Sequence, residues 1–230
     1  QHTIEQTLLT MFNKQVILED ARESCFRTAS RTDRGVSALG NVCAFNTSIS
    51  LDEIAAQMTK DRSALLIYGV HEVPADFYPR HAKRREYRYY LRKASFDIER
   101  ILSAAGMFTG EHNFQNFARV ELLKDPVRSI DNIIITEHRE FLILDFYAQT
   151  FLWNQIRRIV SALKRAGEGT LPLTAIKQSL DHPERKVDFQ IAAPEPLLLK
   201  DVVYNFSFDY LKDYKKKLLR FEKSIVCSLE

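Results

Sequence analysis

At 230 residues, 45% hydrophobic and 27% charged, the chain has the composition of a globular protein, long enough for one large domain or for two small ones sharing a core. Seven glycines and seven prolines argue against long disordered linkers, and a net charge of only +3 means that any case for nucleic-acid binding rests on how the charge is distributed. Cys25, Cys43 and Cys227 fit neither a metal-binding spacing nor a disulfide framework, and no leader or membrane-length apolar run is seen, so reduced thiols in the cytoplasm are expected.

Ile4, Leu8, Leu9, Met11 and Phe12 recur at helical spacing and predict a helix over residues 4–14, capped by Thr3. Residues 25–30 and 41–46 read as strands on either side of a glycine-containing loop. Ser50 caps a helix predicted over 51–63, with Leu51, Ile54, Ala55 and Met58 on one face, and 65–73 is strand-like. An arginine-rich stretch over 80–93 follows, alternating like a strand in its second part. Next come a helix over 97–108, a hairpin of strands 130–136 and 141–148 around His138-Arg139-Glu140, an amphipathic helix over 151–166 and a shorter one over 173–180. A last strand is expected over 202–208 and a charged helix over 211–223. Hairpins and strand–helix units mix rather than alternate, which points to an α+β class with helices on one face of a sheet. A division near His81 gives two halves, 1–81 and 82–230, each with helices and strands.

The loop Ser30-Arg31-Thr32-Asp33-Arg34-Gly35-Val36-Ser37-Ala38 sets an acid between two arginines. Composition alone favours a solvated surface turn, since aspartate and glycine are common there. The functional alternative is a carboxylate presented as nucleophile or base, with Gly35 allowing another chain to approach closely.

Arg31-Thr32-Asp33-x-Gly35-Val36-x-Ala38 resembles the signature of the TruA family of tRNA pseudouridine synthases, in its archaeal and eukaryotic form. Further resemblances follow in family order: Gln1-x-Thr3-Ile4-Glu5; Phe77-x-x-Arg80-x-Ala82-x-x-Arg85-x-Tyr87-x-Tyr89; Gly110-x-His112-x-Phe114-x-x-Phe117; Phe151-Leu152-x-x-x-Ile156-Arg157; and Ala193-Pro194-x-x-Leu197-x-Leu199-x-x-Val202-x-Tyr204. Ser30, Ser161 and Pro196 stand where the family commonly has glycine, and the family's strand with a Tyr-Asp-Gly motif, which precedes the first helix, has no counterpart in these residues.

The resemblance implies two ferredoxin-like subdomains sharing a central antiparallel sheet, and a homodimer that grips tRNA across both subunits. It implies conversion of uridine to pseudouridine in the anticodon stem-loop, a reaction without redox change that needs no cofactor. Asp33 matches the family nucleophile, Tyr87 the active-site tyrosine that stacks on the base and helps remove the C5 proton, and Arg157 the arginine that pairs with the aspartate. Arg31 matches the arginine that enters the RNA stack when the uridine flips out, and Leu197 the apolar residue lining the base pocket, although a plain core leucine is almost as good a reading. Arg80 and Arg85 belong to a basic stretch over 78–93 with tyrosines interleaved, a pattern suited to RNA backbone and unpaired bases. Three other readings stay open: an RNA-binding module without catalysis, a related synthase with other RNA targets, and a metal hydrolase using Asp33, which predicts loss of activity with chelator. No second histidine stands at helical spacing from His112, so a metal site is not expected.

Overall fold

Thr3 opens the first helix: its hydroxyl accepts the Gln6 N–H at 3.1 Å, while the Gln6 side chain accepts the Thr3 N–H at 3.0 Å. The computed structural model describes residues 3–18, 20–60 and 65–229. The elements run α1 (Ile4–Lys14), β1 (Arg27–Thr28), β2 (Ser37–Ala38), β3 (Cys43–Ala44), α2 (Leu51–Lys60), β4 (Gly69–Val70), β5 (Arg84–Arg92), α3 (Ile98–Met107), β6 (Gly110–Asn113), β7 (Val127–Ile130), β8 (Asn132–His138), β9 (Phe141–Ala148), α4 (Gln155–Gly167), α5 (Leu173–Asp181), β10 (Leu197–Val203), β11 (Asp209–Tyr210) and α6 (Tyr214–Leu229). Gln1 of the opening motif, and residues 61–63 at the end of the second expected helix, lie outside the described residues. None of the described helices is long and apolar enough to cross a membrane.

The chain divides into two compact units. The first comprises Gln1–Arg31, Asn41–Ala82 and Tyr204–Lys223. Its core is Met11, Phe12, Ile17, Leu18, Ile54 and Met58, with Phe26 and Phe45 packed against it. The strands expected over 25–30 and 41–46 shrink to the two-residue ladder β1–β3. Cys25 adopts φ 50°, which breaks the extended run before Arg27.

The second unit comprises Thr32–Gly40, Lys83–Val203 and Ser224–Glu230, and it holds a five-stranded sheet of order β2-β10-β5-β9-β8. The sheet is mixed rather than antiparallel, because β2 runs parallel to β10 with Ser37 opposite Leu198 and Ala38 opposite Leu199. Gly40 closes this pairing: a β-carbon there would stand 2.6 Å from the Lys200 carbonyl oxygen, so no side chain fits. Along β5, Arg85, Tyr87, Tyr89 and Leu91 share one face, opposite Ala148, Phe146, Leu144 and Leu142 of β9, and all eight are buried. Helix α3, capped by Asp97, packs on α4, where Gly167 comes so close to Ile101 that a β-carbon would overlap it.

Some expected elements shift, and one strand pair was not foreseen. The last strand is 197–203 rather than 202–208, because Leu197, Leu198 and Leu199 are buried in mid-sheet, where strands are apolar on both faces. The aromatic alternation beyond it serves ring stacking, Phe206 lying on both His71 and Tyr204. The helix expected from 151 begins at Gln155, because Asn154 is left-handed at φ 61°. Strands β6 and β7 pair antiparallel yet are too short and polar to show a strand pattern in sequence.

Asn116 ties this unit's loops together. Its amide donates to the carbonyls of Ser179, Pro183 and Arg185 at 3.3, 3.4 and 3.0 Å, and its oxygen accepts the Val187 N–H at 3.1 Å. Just beyond, Phe189 stacks on Phe117 at 4.2 Å, fixing the chain that leads to Ala192. Asn116→Ala removes these contacts, one buried and three part-buried, and is expected to cost about 2–3 kcal/mol in urea unfolding.

Candidate active site

Asp33 is presented by a turn that only glycine can complete. The Val36 N–H donates to the Asp33 carbonyl at 3.1 Å, and Gly35 sits at φ 91°. A β-carbon on Gly35 would lie 3.0 Å from the Pro194 ring and 3.1 Å from a Glu195 oxygen. The turn thus presses directly against the segment leading into β10.

The Asp33 carboxylate meets a guanidinium held on several sides. Arg157 Nη1 donates to Asp33 Oδ2 at 2.7 Å, Nε donates to the Ala192 carbonyl at 2.8 Å, and Nη1 also reaches Asn154 Oδ1 at 3.3 Å. The two side chains are only 16% and 27% exposed, so the pair is far less screened than a surface salt bridge. The next residue, Arg158, turns away to Asp188 at 2.8 Å, as adjacent helical positions do.

Trp153 is the residue that the sequence reading passed over. Its indole Nε1–H donates to Asp33 Oδ1 at 3.0 Å, so each carboxylate oxygen has its own donor. It stands in an unassigned position of the Phe151-Leu152-x-x-x-Ile156-Arg157 motif. The available signal was that the chain's single tryptophan lies four residues before Arg157.

Tyr87 and Leu197 lie nearby in the same sheet. Leu199 is in register with both Ala38 of β2 and Tyr87 of β5, which puts Tyr87 two strands from the Asp33 turn. The Tyr87 ring is buried and meets Phe151 edge-on at 5.4 Å. Leu197 is buried opposite Tyr89. The Tyr89 hydroxyl donates to the Ala193 carbonyl at 3.2 Å, and burial pushes its pKa up to about 12, so it is a neutral phenol at neutral pH.

The remaining candidates are placed differently. Arg85 is buried, and its guanidinium donates to the Gln149 carbonyl. Arg31 and Arg80 belong to the first unit and are exposed. Much of the basic stretch answers to partners within the protein: Arg88 grips Asp145 with two bonds of 2.8 Å, Arg84 meets Glu86 and Lys93 meets Glu137. The His112 ring sits 3.1 Å from the Thr109 carbonyl, a local turn contact.

Known proteins match this chain in sequence. A family model described as tRNA pseudouridine synthase matches residues 104–205. Among relatives named tRNA pseudouridine synthase A, that of Thermococcus sibiricus is 40% identical over 205 residues, covering 88% of this chain and 76% of the relative. That of Pyrococcus abyssi is 38% identical over 228 residues, covering 97% and 83%. That of Methanobrevibacter smithii is 30% identical over 247 residues, covering 99% and 83%. An aspartate held by an arginine from a distant helix, in a sequence this close to those relatives along most of its length, means that the chain belongs to the TruA family of tRNA pseudouridine synthases.

Proposed function

We propose that this protein isomerises uridine to pseudouridine in the anticodon stem-loop of tRNA, with Asp33 as its nucleophile. The observation that carries the reading is the Asp33 carboxylate, part-exposed and held on one oxygen by Arg157 and on the other by Trp153. An Asp33 oxygen bonds to C1′ of the flipped nucleoside as the N1–C1′ bond breaks, the uracil turns, and C5 joins C1′ as the carboxylate departs from it. The C5 proton is then lost and N1 gains one, so the reaction balances without a cofactor. Arg157 orients the nucleophile. Tyr87 stacks on the base and takes part in removing the C5 proton. Leu197 lines the base pocket, Arg31 fills the gap left in the RNA stack, and Arg80 and Arg85 serve the substrate, Arg85 through the Gln149 segment that it holds.

The same reading includes a ferredoxin-like plan for each half, divided near residue 81, and a homodimer in the cytoplasm. Light scattering at working concentration is expected to give the mass of a dimer, and a monomer removes that part. Activity is tested by tritium release from tRNA labelled at uracil C5, since C5 loses its hydrogen only when the new carbon–carbon bond forms. Mapping of the modified positions then checks the site: pseudouridine confined to other parts of the tRNA, or to other RNAs, replaces the anticodon assignment. RNA binding without tritium release makes the chain a binding module.

A further inference from the structure

A tryptophan usually buries its ring, yet Trp153 is 45% exposed and is fixed from every side that touches it. The Arg119 N–H donates to the Trp153 carbonyl at 2.8 Å, and the Arg119 guanidinium lies 4.1 Å from the indole ring centre. On the other side Asn154 takes its left-handed conformation, which asparagine tolerates better than most residues. One residue earlier, the Leu152 N–H donates to the side chain of the buried Gln155 at 2.7 Å. The backbone on both flanks is therefore held, the ring is clamped beneath a guanidinium, and the one polar atom of the side chain is aimed at Asp33 Oδ1 at 3.0 Å.

We propose that Trp153 is a positioning residue for the reaction: its N–H holds one oxygen of the Asp33 carboxylate while Arg157 holds the other, and together they lock the plane of the nucleophile. This rests on the synthase reading above. A single donor would leave the carboxylate free to rotate about its own bond, whereas donors on two oxygens fix its rotation. Each oxygen accepts more than one hydrogen bond, so lone pairs remain for attack. Arg119 acts one step further out, by holding the indole.

The test separates the N–H from the ring. Trp153→Phe keeps an aromatic ring under Arg119 and removes the donor; kcat is expected to fall roughly tenfold with KM unchanged. Trp153→His rescues, because the five-membered imidazole ring can place Nε2–H where the indole N–H stands, and its kcat stays within about threefold of wild type. The second readout is independent of catalysis. The chain has one tryptophan, so a ¹⁵N-labelled sample shows one indole N–H resonance. That resonance is expected to lie downfield and to move upfield in Asp33→Ala. A resonance indifferent to Asp33→Ala, or full kcat in Trp153→Phe, overturns the proposal. A wild-type protein that makes no pseudouridine overturns the synthase reading and the catalytic role with it, and the indole resonance then shows that the failure lies in the reading rather than in the contact.

Discussion

Asp33→Asn is expected to abolish pseudouridine formation, by at least about a thousandfold, while tRNA affinity stays within a few-fold of wild type. The amide is the same shape as the carboxylate and still offers an oxygen to either Trp153 Nε1 or Arg157 Nη1, so the turn closed by Gly35 keeps its place. What it lacks, on the proposed reading, is the carboxylate oxygen that would form the covalent bond. Arg157 remains satisfied by the Ala192 carbonyl and Asn154, so little stability is lost. Tritium release and filter binding on the same preparation read the two effects separately. Substantial turnover in the variant would show that the carboxylate only organises the site, and would move the nucleophile elsewhere.

Arg157→Met is expected to lower kcat by about a hundredfold to a thousandfold, the scale seen when a preorganised charged donor is removed. It leaves the carboxylate with the neutral indole donor alone and frees the Ala192 carbonyl. Arg157→Lys should recover only part of the loss, because an ammonium is a point charge and cannot grip the Ala192 carbonyl and Asp33 Oδ2 in the fixed fork that a guanidinium provides. The decisive measurement is the double variant with Asp33→Asn. If Arg157 works through Asp33, the second substitution adds almost nothing to the first. Additive losses would mean that Arg157 contacts the RNA on its own account.

Local rules carried the sequence reading a long way. Helix α1 with its Thr3 cap, α3 with its Asp97 cap and the β8–β9 hairpin are each decided by residues within a few positions of one another, and each stands where those residues put it. The α+β class follows from the order of such elements. Asp33 and Arg157 could be picked out because each stands in a motif, not because any feature of the chain between them says that they meet. The long amphipathic helix expected from 151 shows the limit of periodicity: the pattern continues through Phe151 and Leu152, but Asn154 turns the backbone left-handed, and it is this turn that frees Trp153 to face Asp33.

By itself, then, the sequence determined the helices, the hairpin and the family, and it named candidate residues for the chemistry, since these depend on short-range spacing and on motifs. The tertiary structure alone decided the rest. The parallel pairing of β2 with β10 depends on a glycine at the Lys200 carbonyl and on chain segments far apart in sequence. The strand at 197–203 could not be told from a buried helix segment by its leucines. Arg85 reads as an RNA-facing cation until its burial is seen, and Trp153 as one more aromatic until its N–H is found on the carboxylate. The physical reason is the same in each case: a hydrogen bond or a burial joining distant segments leaves no periodic trace in either of them.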